Sequence, residues 1–280
     1  MADKYLRIVK ATFSGGGGGL VVTDLKIEFD VEKTISGVPN AGTVRVYNLS
    51  AAHRQAVGKE FDSVQLEAGY QGTGTGIILK GRIREVFHQR DETDVITEVK
   101  VGDGDEAERK GYVAKTYPTG TKIKDIVEDI RQNGMPGISR GELKGLDDLP
   151  STKRPLTLVS GTRRAMDQLG RSHNFYWSYQ NEALETIPAD GFLDQRVVIS
   201  ARTGMIGVPT VTDNGISVQC LLDPAIRPNR LIEVISDVLD MNGKPGTYRV
   251  NGLRYYGDNM DGDFAVDVEG QTVSGGKVAG

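Results

Sequence analysis

VVTDLKIEFDVE, residues 21–32, alternates two kinds of side chain along most of its length. From Val21 to Val31 every second residue belongs to a mostly apolar set, and from Asp24 to Glu32 the intervening residues are charged. Successive side chains of a strand point to opposite faces, so this pattern predicts one long strand with a buried face and a solvated face. Such a strand is typical of an antiparallel sheet and indicates a β-rich fold.

The rest of the first hundred residues has the same character. Short strand-like runs are separated by polar or glycine-containing turns at 37–40 and 89–94. One short helix is predicted at 51–57, with Ser50 as its N-cap. The glycine run 15–19 predicts a flexible hairpin loop at the rim of a sheet. Besides residues 21–31, the strands predicted here are 5–11, 43–49, 64–70, 77–87 and 95–101.

The middle of the chain changes to helical periodicity. A first helix is predicted after Thr121 and ends at Asn133–Gly134; its apolar positions are Ile123, Ile126, Val127 and Ile130. Residues 135–155 contain three prolines and are predicted as loops. A second helix is predicted to begin near Ser160, with an apolar stripe of Ala165, Met166 and Leu169.

An aromatic strand follows at 174–179, and with 183–187 it predicts a hairpin. The last third is again strand-like, and Asp213–Asn214–Gly215 is a strong turn signal. We therefore predict a mainly β fold with an α+β insertion: a tube-type β-barrel or sandwich at 1–103, an α+β middle domain at 104–190, and a second tube-type barrel at 191–280 with a frayed glycine-rich tail. The strands predicted in the last third are 197–200, 204–211, 215–222, 230–235, 246–256 and 263–269.

Composition and charge exclude several protein classes. Apolar residues make up 38% of the 280 residues, and the 36 glycines bring the chain into the ordinary globular range. The net charge of −4 argues against a nucleic-acid-binding protein, because basic residues are scattered among acids. Neither a signal peptide nor a run of about 20 apolar residues is visible, so we expect synthesis as a soluble protein in a cytoplasm. The densest basic spots are the pairs Arg109–Lys110, Lys153–Arg154 and Arg163–Arg164.

No motif predicts a catalytic, cofactor or metal site. The glycine run lacks the Lys–Ser/Thr of a phosphate loop, and no G-x-S-x-G sequence exists. His53, His88 and His173 do not form a metal-binding pattern and are interpreted as surface or structural residues. The single cysteine, Cys220, has apolar neighbours and is predicted to be a buried small hydrophobe.

Residues 258–263, DNMDGD, are the best candidate for a cation site because they are rich in oxygen ligands. Their spacing does not match an EF-hand, since Met260 occupies the third position. Asn, Asp and Gly between two strands are also typical of a hairpin turn, which is the favoured interpretation. Residues 237–243 are interpreted in the same way.

The aromatic strand could be a platform for a sugar or a nucleobase. In an extended chain Phe175, Trp177 and Tyr179 share one face and Tyr176 takes the other. With aromatic residues on both faces, we favour packing on the neighbouring helix and on another domain or subunit.

Several phrases at both ends of the chain resemble the baseplate hub proteins of tailed bacteriophages. In those hubs a strand ends in Tyr-Asn-Leu-Ser before a short helix, and a Leu-Leu-x-Pro…x-Pro-Gly element precedes Tyr-x-Val and His-x-Gly-Asp. Here Asn229 stands where Gly is common, and Tyr255 stands where His is common. The matching phrases are Tyr47–Ser50, Leu221–Pro224, Ile226–Asn229, Tyr248–Val250 and Tyr255–Asp258.

The resemblance implies a structural virion protein of the tail baseplate. Three copies would surround the tail axis and join the tail tube to the central spike, because two similar barrels per chain then give pseudo-sixfold symmetry. The charged face of the strands would line the lumen, and subunit edges would pair laterally. The partners implied are sister copies, the tail tube protein, the spike and other baseplate proteins, with assembly in the host cytoplasm.

Other functions remain open from the sequence. A tail-associated peptidoglycan hydrolase would hold a carboxylate of displaced pKa in a pocket. A carbohydrate- or receptor-binding module would use Trp177 and its neighbours. Within the structural class, a tail tube initiator or a tail-completion protein is the nearest alternative. A hub is expected to bury interfaces of order 2,000 Å² or more and to have no catalytic cluster.

Overall fold

Strands dominate the structure, which is a computed structural model describing residues 4–16, 18–212, 215–238, 246–274 and 276–278. The mainly β fold with few helices is therefore confirmed. In the N-terminal part the elements are β1 (Arg7–Gly15), β2 (Gly18–Val22), β3 (Ile27–Thr34), β4 (Ala41–Tyr47), α1 (Ala51–Ala56), β5 (Ser63–Tyr70), β6 (Gly74–Asp91) and β7 (Asp94–Gly102).

The middle part, called the insert below, mixes helices with short strands. Its elements are α2 (Asp105–Lys110), β8 (Tyr112–Tyr117), α3 (Ile123–Asp129), a π-helical turn (Ile130–Gly134), β9 (Ser139–Leu143), β10 (Leu156–Gly161), α4 (Thr162–His173), β11 (Phe175–Tyr179) and β12 (Ala183–Pro188).

The C-terminal part returns to strands. They are β13 (Leu193–Ile199), β14 (Met205–Thr212), β15 (Gly215–Leu221), β16 (Arg230–Val234), β17 (Gly246–Asp258), β18 (Phe264–Ser274) and β19 (Lys277–Val278). The predicted turn residues Asp213 and Asn214 lie outside the described residues, but Thr212 pairs with Gly215 across the hairpin.

Among the described residues, one 14-stranded sheet joins the N- and C-terminal parts of the chain. Its main path runs β14-β15-β18-β17-β3-β4-β7-β6-β5-β1-β2. The junction is the antiparallel pair of β17 and β3, which extends from Gly252 opposite Thr34 to Asp258 opposite Glu28. The insert instead has a two-stranded sheet, β10-β8, and a three-stranded sheet, β11-β12-β9.

Two hydrophobic clusters correspond to this arrangement. One combines buried residues of the N- and C-terminal strands. Within it, Phe264 meets Phe29 and Tyr70 edge to face, with ring centroids 5.7 and 5.3 Å apart, a favoured geometry for aromatic pairs. The second cluster belongs to the insert. The division at 1–103, 104–190 and 191–280 stays a prediction.

The single long strand predicted at 21–31 is wrong, because the chain bends between β2 and β3. β2 pairs with β1, whereas β3 pairs with β4 and β17. The bend is held by Asn259, which accepts a hydrogen bond from the Ile27 N–H (2.9 Å) and donates one to the Leu25 carbonyl (2.8 Å). Val21 is consequently exposed while Ile27, Phe29 and Val31 are buried as predicted.

The glycine run forms the predicted hairpin, but the loop is shorter than predicted. β1 extends to Gly15 and pairs there with Gly18 at the start of β2. Gly17 lies outside the described residues. A side chain at Gly15 would come within 1.9 Å of the Glu60 carbonyl oxygen, which explains why this strand ends in glycine.

Local helix signals are confirmed, and short elements of the insert were missed. Ser50 Oγ accepts the His53 N–H at 3.2 Å and caps α1. The two predicted helices are α3, continued by the π-helical turn, and α4. The loop prediction for 135–155 misses β9, whose neighbour in the sheet, β12, is more than 35 residues away in sequence and gives no local signal. The other missed elements are α2, β8 and β10.

Candidate assembly surfaces and buried clamps

The histidines and the cysteine that the sequence analysis considered as possible metal ligands or catalytic groups lie in separate parts of the structure. Among the described residues no group of three or more His, Cys, Asp or Glu side chains could hold a metal ion. His53 is exposed on α1, His88 is exposed on β6 with its Nδ1 3.2 Å from Thr97 Oγ1, and His173 ends α4. Burial raises the pKa of the Cys220 thiol to about 12, in keeping with the predicted buried hydrophobe.

The acidic segment 258–263 forms the predicted turn between β17 and β18. The Asp258 carboxylate accepts the Met260 N–H at 2.7 Å. The Arg7 guanidinium donates to the carbonyls of Asp261 (2.6 Å) and Gly262 (2.7 Å) and lies 5.2 Å from the Phe264 ring centroid. These carbonyl oxygens therefore already have a cationic partner, supplied by the other end of the chain. Of the similar segment 237–243, residues 239–243 lie outside the described residues.

The aromatic strand β11 packs as predicted. Phe175, Trp177 and Tyr179 are buried in the core of the insert. The Trp177 Nε1–H donates to Asp167 Oδ1 on α4 at 2.9 Å. Trp177 is only 4% exposed, so its ring offers no face to a sugar. Tyr176, on the opposite face, is 5.5 Å from the guanidinium of Arg249 on β17 and so contacts the large sheet.

One side of the large sheet carries a band of charged side chains, called the charged face below. It lies on β3, β4, β6, β7, β17 and β18, where cross-strand neighbours include Asp30–Thr43–Lys100–Glu85. Its opposite side contributes to the main hydrophobic cluster. The charged face comprises Glu28, Asp30, Glu32, Arg45, Glu85, Glu98, Lys100, Arg254, Asp267 and Glu269.

Carboxylates outnumber basic groups on this face by seven to three. Each base pairs with an acid on a neighbouring strand: Arg254 Nη2 with Asp30 Oδ2 at 2.6 Å, Arg45 Nε with Glu98 Oε2 at 2.7 Å, and Lys100 Nζ with Glu85 Oε2 at 2.9 Å. Two more bases lie beside these ten residues: Lys26, whose Nζ is 3.3 Å from Glu28 Oε1, and Arg84, whose Nε is 2.8 Å from Asp105 Oδ1. Carboxylates remain in excess. The charged face therefore presents a net negative surface held in register by cross-strand pairs.

The main path of the large sheet ends in two edge strands that have no further partner among the described residues; β13 and β19 are further edges off this path. β14 forms one end and β2 the other. Val208 and Val211 on β14 and Val21 on β2 are more than half exposed. Edge strands with apolar side chains and unpaired backbone groups favour pairing with another chain.

Buried polar contacts fix the insert against the large sheet. The first involves Asp103, which follows β7 and is fully buried. Its carboxylate accepts the N–H groups of Glu182 (2.6 Å) and Asn181 (2.7 Å) and a hydrogen bond from Asn40 Nδ2 (3.2 Å). Asn181 and Glu182 both have a φ of 58°, as in the tight turn between β11 and β12.

Lys33 completes this first contact. Lys33 on β3 donates to Asn181 Oδ1 at 2.5 Å, and burial lowers the pKa of Lys33 to about 8. Burial raises the pKa of Asp103, against the opposing effects of the Lys33 charge and the three donors. A carboxylate of displaced pKa is thus present, but both of its oxygens hold a turn and no substrate could reach them.

The second contact is a bidentate ion pair between Arg230 on β16 and Glu185 on β12. Its N–O distances are 2.8 and 3.0 Å, and the side chains are 5% and 4% exposed. Asn229 Nδ2 also donates to Glu185, at 3.2 Å.

The third contact is Arg249 on β17, which is 1% exposed. It donates to the carbonyls of Ala189 (2.9 Å) and Gly191 (3.0 Å), just after the insert, and to Gln271 Oε1 (2.8 Å). The contacts centred on Asp103, Glu185–Arg230 and Arg249 are called the three clamps below. None is visible as a motif, because each joins the insert, or the residues just after it, to the large sheet across at least 44 positions of sequence.

Comparison with known proteins assigns the fold to a family. A family model described as baseplate hub gp41 matches residues 8–270. The chain belongs to the baseplate hub gp41 family. The hub is accordingly a structural component of a phage tail, and this membership favours the predicted hub over a hydrolase, a receptor-binding module or a tube initiator. No curated protein sequence matches the hub.

Solved structures share the fold at low sequence identity. The tail protein from Neisseria meningitidis MC58 covers 95% of the hub and 97% of its own chain, with a TM-score of 0.63 and 12% identity. The 43 kDa tail protein of prophage MuSo2 from Shewanella oneidensis covers 94% and 98%, with a TM-score of 0.65 and 9% identity.

A third similar structure comes from a secretion system. The E. coli c3393 protein covers 91% of the hub and 75% of its own chain, with a TM-score of 0.65 and 12% identity. It is described as a component of the type VI secretion system with structural similarity to the T4 tail proteins gp27 and gp5. Among the described residues of the hub, no helix has the length and apolar content needed to cross a bilayer.

The structure explains the residue type at one position in each of two segments that resemble the hub proteins. Asn229 has a φ of +69°, a left-handed conformation that glycine adopts readily and asparagine tolerates better than most residues. Gly257 has a φ of +145°, and a side chain there would come within 2.5 Å of the Asp263 carbonyl oxygen. Both positions have backbone conformations that restrict the residue type.

Proposed function

We propose that the hub assembles as a homotrimer around the tail axis and joins the tail tube to the central spike, in contact with other baseplate proteins. It acts through assembly alone, without catalysis, cofactor, nucleic-acid recognition by sequence or membrane insertion, and it is assembled in the host cytoplasm. The observation that carries this proposal is the continuous sheet, in which β17 pairs with β3 and joins the strands of the two ends of the chain.

The charged face supports an orientation toward the axis. A surface on which carboxylates outnumber bases repels a polyanion electrostatically, which suits the lining of a channel through which DNA passes. In this arrangement 1–103 and 191–280 act as two tube-type units per chain, giving pseudo-sixfold symmetry from three copies, and 104–190 lies outside the ring.

The free edges support association with sister copies. Pairing β14 of one copy with the β2 end of the next would satisfy backbone groups that have no partner within the described residues. The E. coli relative, described as a secretion-system component similar to phage tail proteins, supports a role within a larger tubular assembly.

Native mass measurement of the purified hub tests the proposal. We expect a species with three times the mass of the chain. Val211→Lys and Val21→Lys place a charge on the two edges and should shift the protein toward monomer by tenfold or more in dissociation constant. Val238→Lys, at a 73% exposed position outside the strands, is the matched control and should leave the trimer intact. A hub that stays monomeric at all concentrations and in assembled tails would contradict the proposal.

A further inference from the structure

The insert contains a small sheet with an unusual surface. Within the part of the chain that the structure describes, β8 and β10 pair only with each other, from Tyr112 opposite Gly161 to Tyr117 opposite Leu156. The inner face packs into the insert through Val113 and Leu158, which are buried. We call this two-stranded sheet the ribbon.

The outer face of the ribbon carries no charge. Tyr112 is 56% exposed and Val159 is 64% exposed, while the Thr116 and Thr157 hydroxyls are 2.9 Å apart. Exposed edge strands usually carry a charge or a proline that prevents pairing with another chain, and this face has neither. Its residues are Tyr112, Ala114, Thr116, Thr157, Val159 and Gly161.

Basic residues surround this uncharged face. Residues 110–124 and 149–166 hold the two strands and contain four basic residues each and no acid, although the whole chain is acidic. The strand register places Arg109–Lys110 and Arg163–Arg164 at one end of the ribbon and Lys153–Arg154 at the other. The three basic pairs of the sequence, which the proposed function leaves unused, therefore flank one surface.

Part of this positive charge is unneutralised. Arg163 and Lys110 have carboxylate partners within the insert, Glu108 at 3.1 Å and Glu106 at 3.0 Å. Arg164, Lys153 and Arg154 form no ion pair among the described residues and are exposed. Positive charge at both ends of the ribbon is thus available to a partner.

We propose that the ribbon is the docking site for an extended segment of another baseplate protein, which adds as a third strand along β10 and carries acidic residues on both sides of an apolar centre. The inference rests on the proposed function, since it requires assembly into a baseplate. Strand addition obtains affinity from main-chain hydrogen bonds and specificity from alternate side chains, here against Val159 and Tyr112.

The edge of β10 is the more accessible of the two. β8 lies beside the π-helical turn, and a side chain at Gly134 would come within 3.1 Å of the Tyr112 carbonyl oxygen. β10 has no neighbour on its outer edge among the described residues. A nucleic acid is the less suitable partner, because the six residues of the outer face offer no basic side chain to phosphates.

Amide hydrogen exchange in the free hub and in assembled tails tests the docking site. We expect the amides of 156–161 to exchange at least tenfold more slowly in the tail. Unchanged exchange of this segment, in tails that contain the hub, would overturn the inference while leaving the proposed function in place.

A charge reversal at one position tests the chemistry of the partner. Val159→Glu should reduce incorporation of the hub into tails at least tenfold, because the new carboxylate repels the acidic residues of the partner segment. The reduction caused by Val159→Lys should be several times smaller. Equal incorporation of the two variants would overturn the inference. Native mass and thermal melting should be unchanged in both, since Val159 is exposed, and Arg154→Glu provides a second variant with the same expected loss.

A single-stranded 30-nucleotide DNA tests the other class of partner. We expect no binding at physiological salt. Micromolar binding that Arg164→Glu and Lys153→Glu abolish would reassign the ribbon to nucleic acid and overturn the proposal.

Discussion

The charged face and the three clamps use the same side-chain chemistry in opposite environments. On the charged face, Arg254 pairs with Asp30 at 2.6 Å, and the two side chains are 48% and 42% exposed. In the second clamp, Arg230 pairs with Glu185 at 2.8 Å, and the side chains are 5% and 4% exposed. Nearly identical geometry therefore has different consequences, because water screens the first pair and is excluded from the second.

The difference separates two tasks within one chain. Exposed ion pairs add little to the free energy of unfolding. The charge of this face can therefore change with little loss of stability. Buried pairs cost much when one partner is lost, so the clamps fix the insert in one orientation against the large sheet. The following predictions contrast these two environments, at fixed protein concentration because subunit association contributes to apparent stability.

The largest effect is expected from breaking the second clamp. Glu185→Ala leaves Arg230 buried without its carboxylate and should lower the free energy of unfolding by about 3–5 kcal/mol. Urea denaturation measures this loss. The double replacement Glu185→Leu with Arg230→Met removes both charges and should recover most of the stability. A loss below about 1 kcal/mol for Glu185→Ala would show that the pair is not buried in solution.

Lys33 should give the hub a measurable pH dependence. The folded-state pKa is about 8 and the ordinary value is 10.5, so burial favours the neutral amine. Stability contributed by this group is fully present above 10.5 and is lost as pH falls through 8. Relative to Lys33→Met, the wild type should therefore gain up to roughly 3 kcal/mol between pH 8 and 10.5. A constant difference between the two proteins across that range would contradict this.

The first clamp should respond to loss of one acceptor. Asp103→Asn keeps the shape of the side chain but can accept only one of the two turn N–H groups of Asn181 and Glu182. We expect a loss of about 1–3 kcal/mol in the free energy of unfolding. Amide exchange at residues 181 and 182 should increase in the variant, and unchanged exchange there would show that Asp103 does not hold the turn.

The smallest effect is expected on the charged face. Arg254→Ala removes the exposed pair with Asp30 and should change the free energy of unfolding by less than about 1 kcal/mol. Added salt should reduce this difference further, because exposed charges are screened. A loss as large as that of Glu185→Ala would abolish the distinction between the two environments.

Features with a local sequence signal could be predicted, and features that depend on distant residues could not. Alternation identified β3 through Ile27, Phe29 and Val31, and helical spacing identified α3 and α4, because those signals are local. The bend before β3 could not be predicted, since it depends on Asn259, more than 230 residues away.

The candidate site was predictable only in part. The alternating charges of β3 gave three of the ten residues of the charged face, whereas the pairing of β3 with β17 that extends it has no local signal. The clamps were missed because Asp103, Glu185 and Arg249 resemble ordinary surface residues until the fold buries them. The family resemblance marked Asn229 as a position where glycine is common, but the sequence did not show that its backbone is left-handed.

Cryo-electron microscopy of the assembled tail, with the hub placed in the density, is the most direct test of the proposed function. We expect three copies around the axis at the baseplate, with Asp30, Glu32 and Glu269 facing the channel and β14 beside a sister subunit. A ring of six copies, or a charged face turned away from the axis, would contradict it.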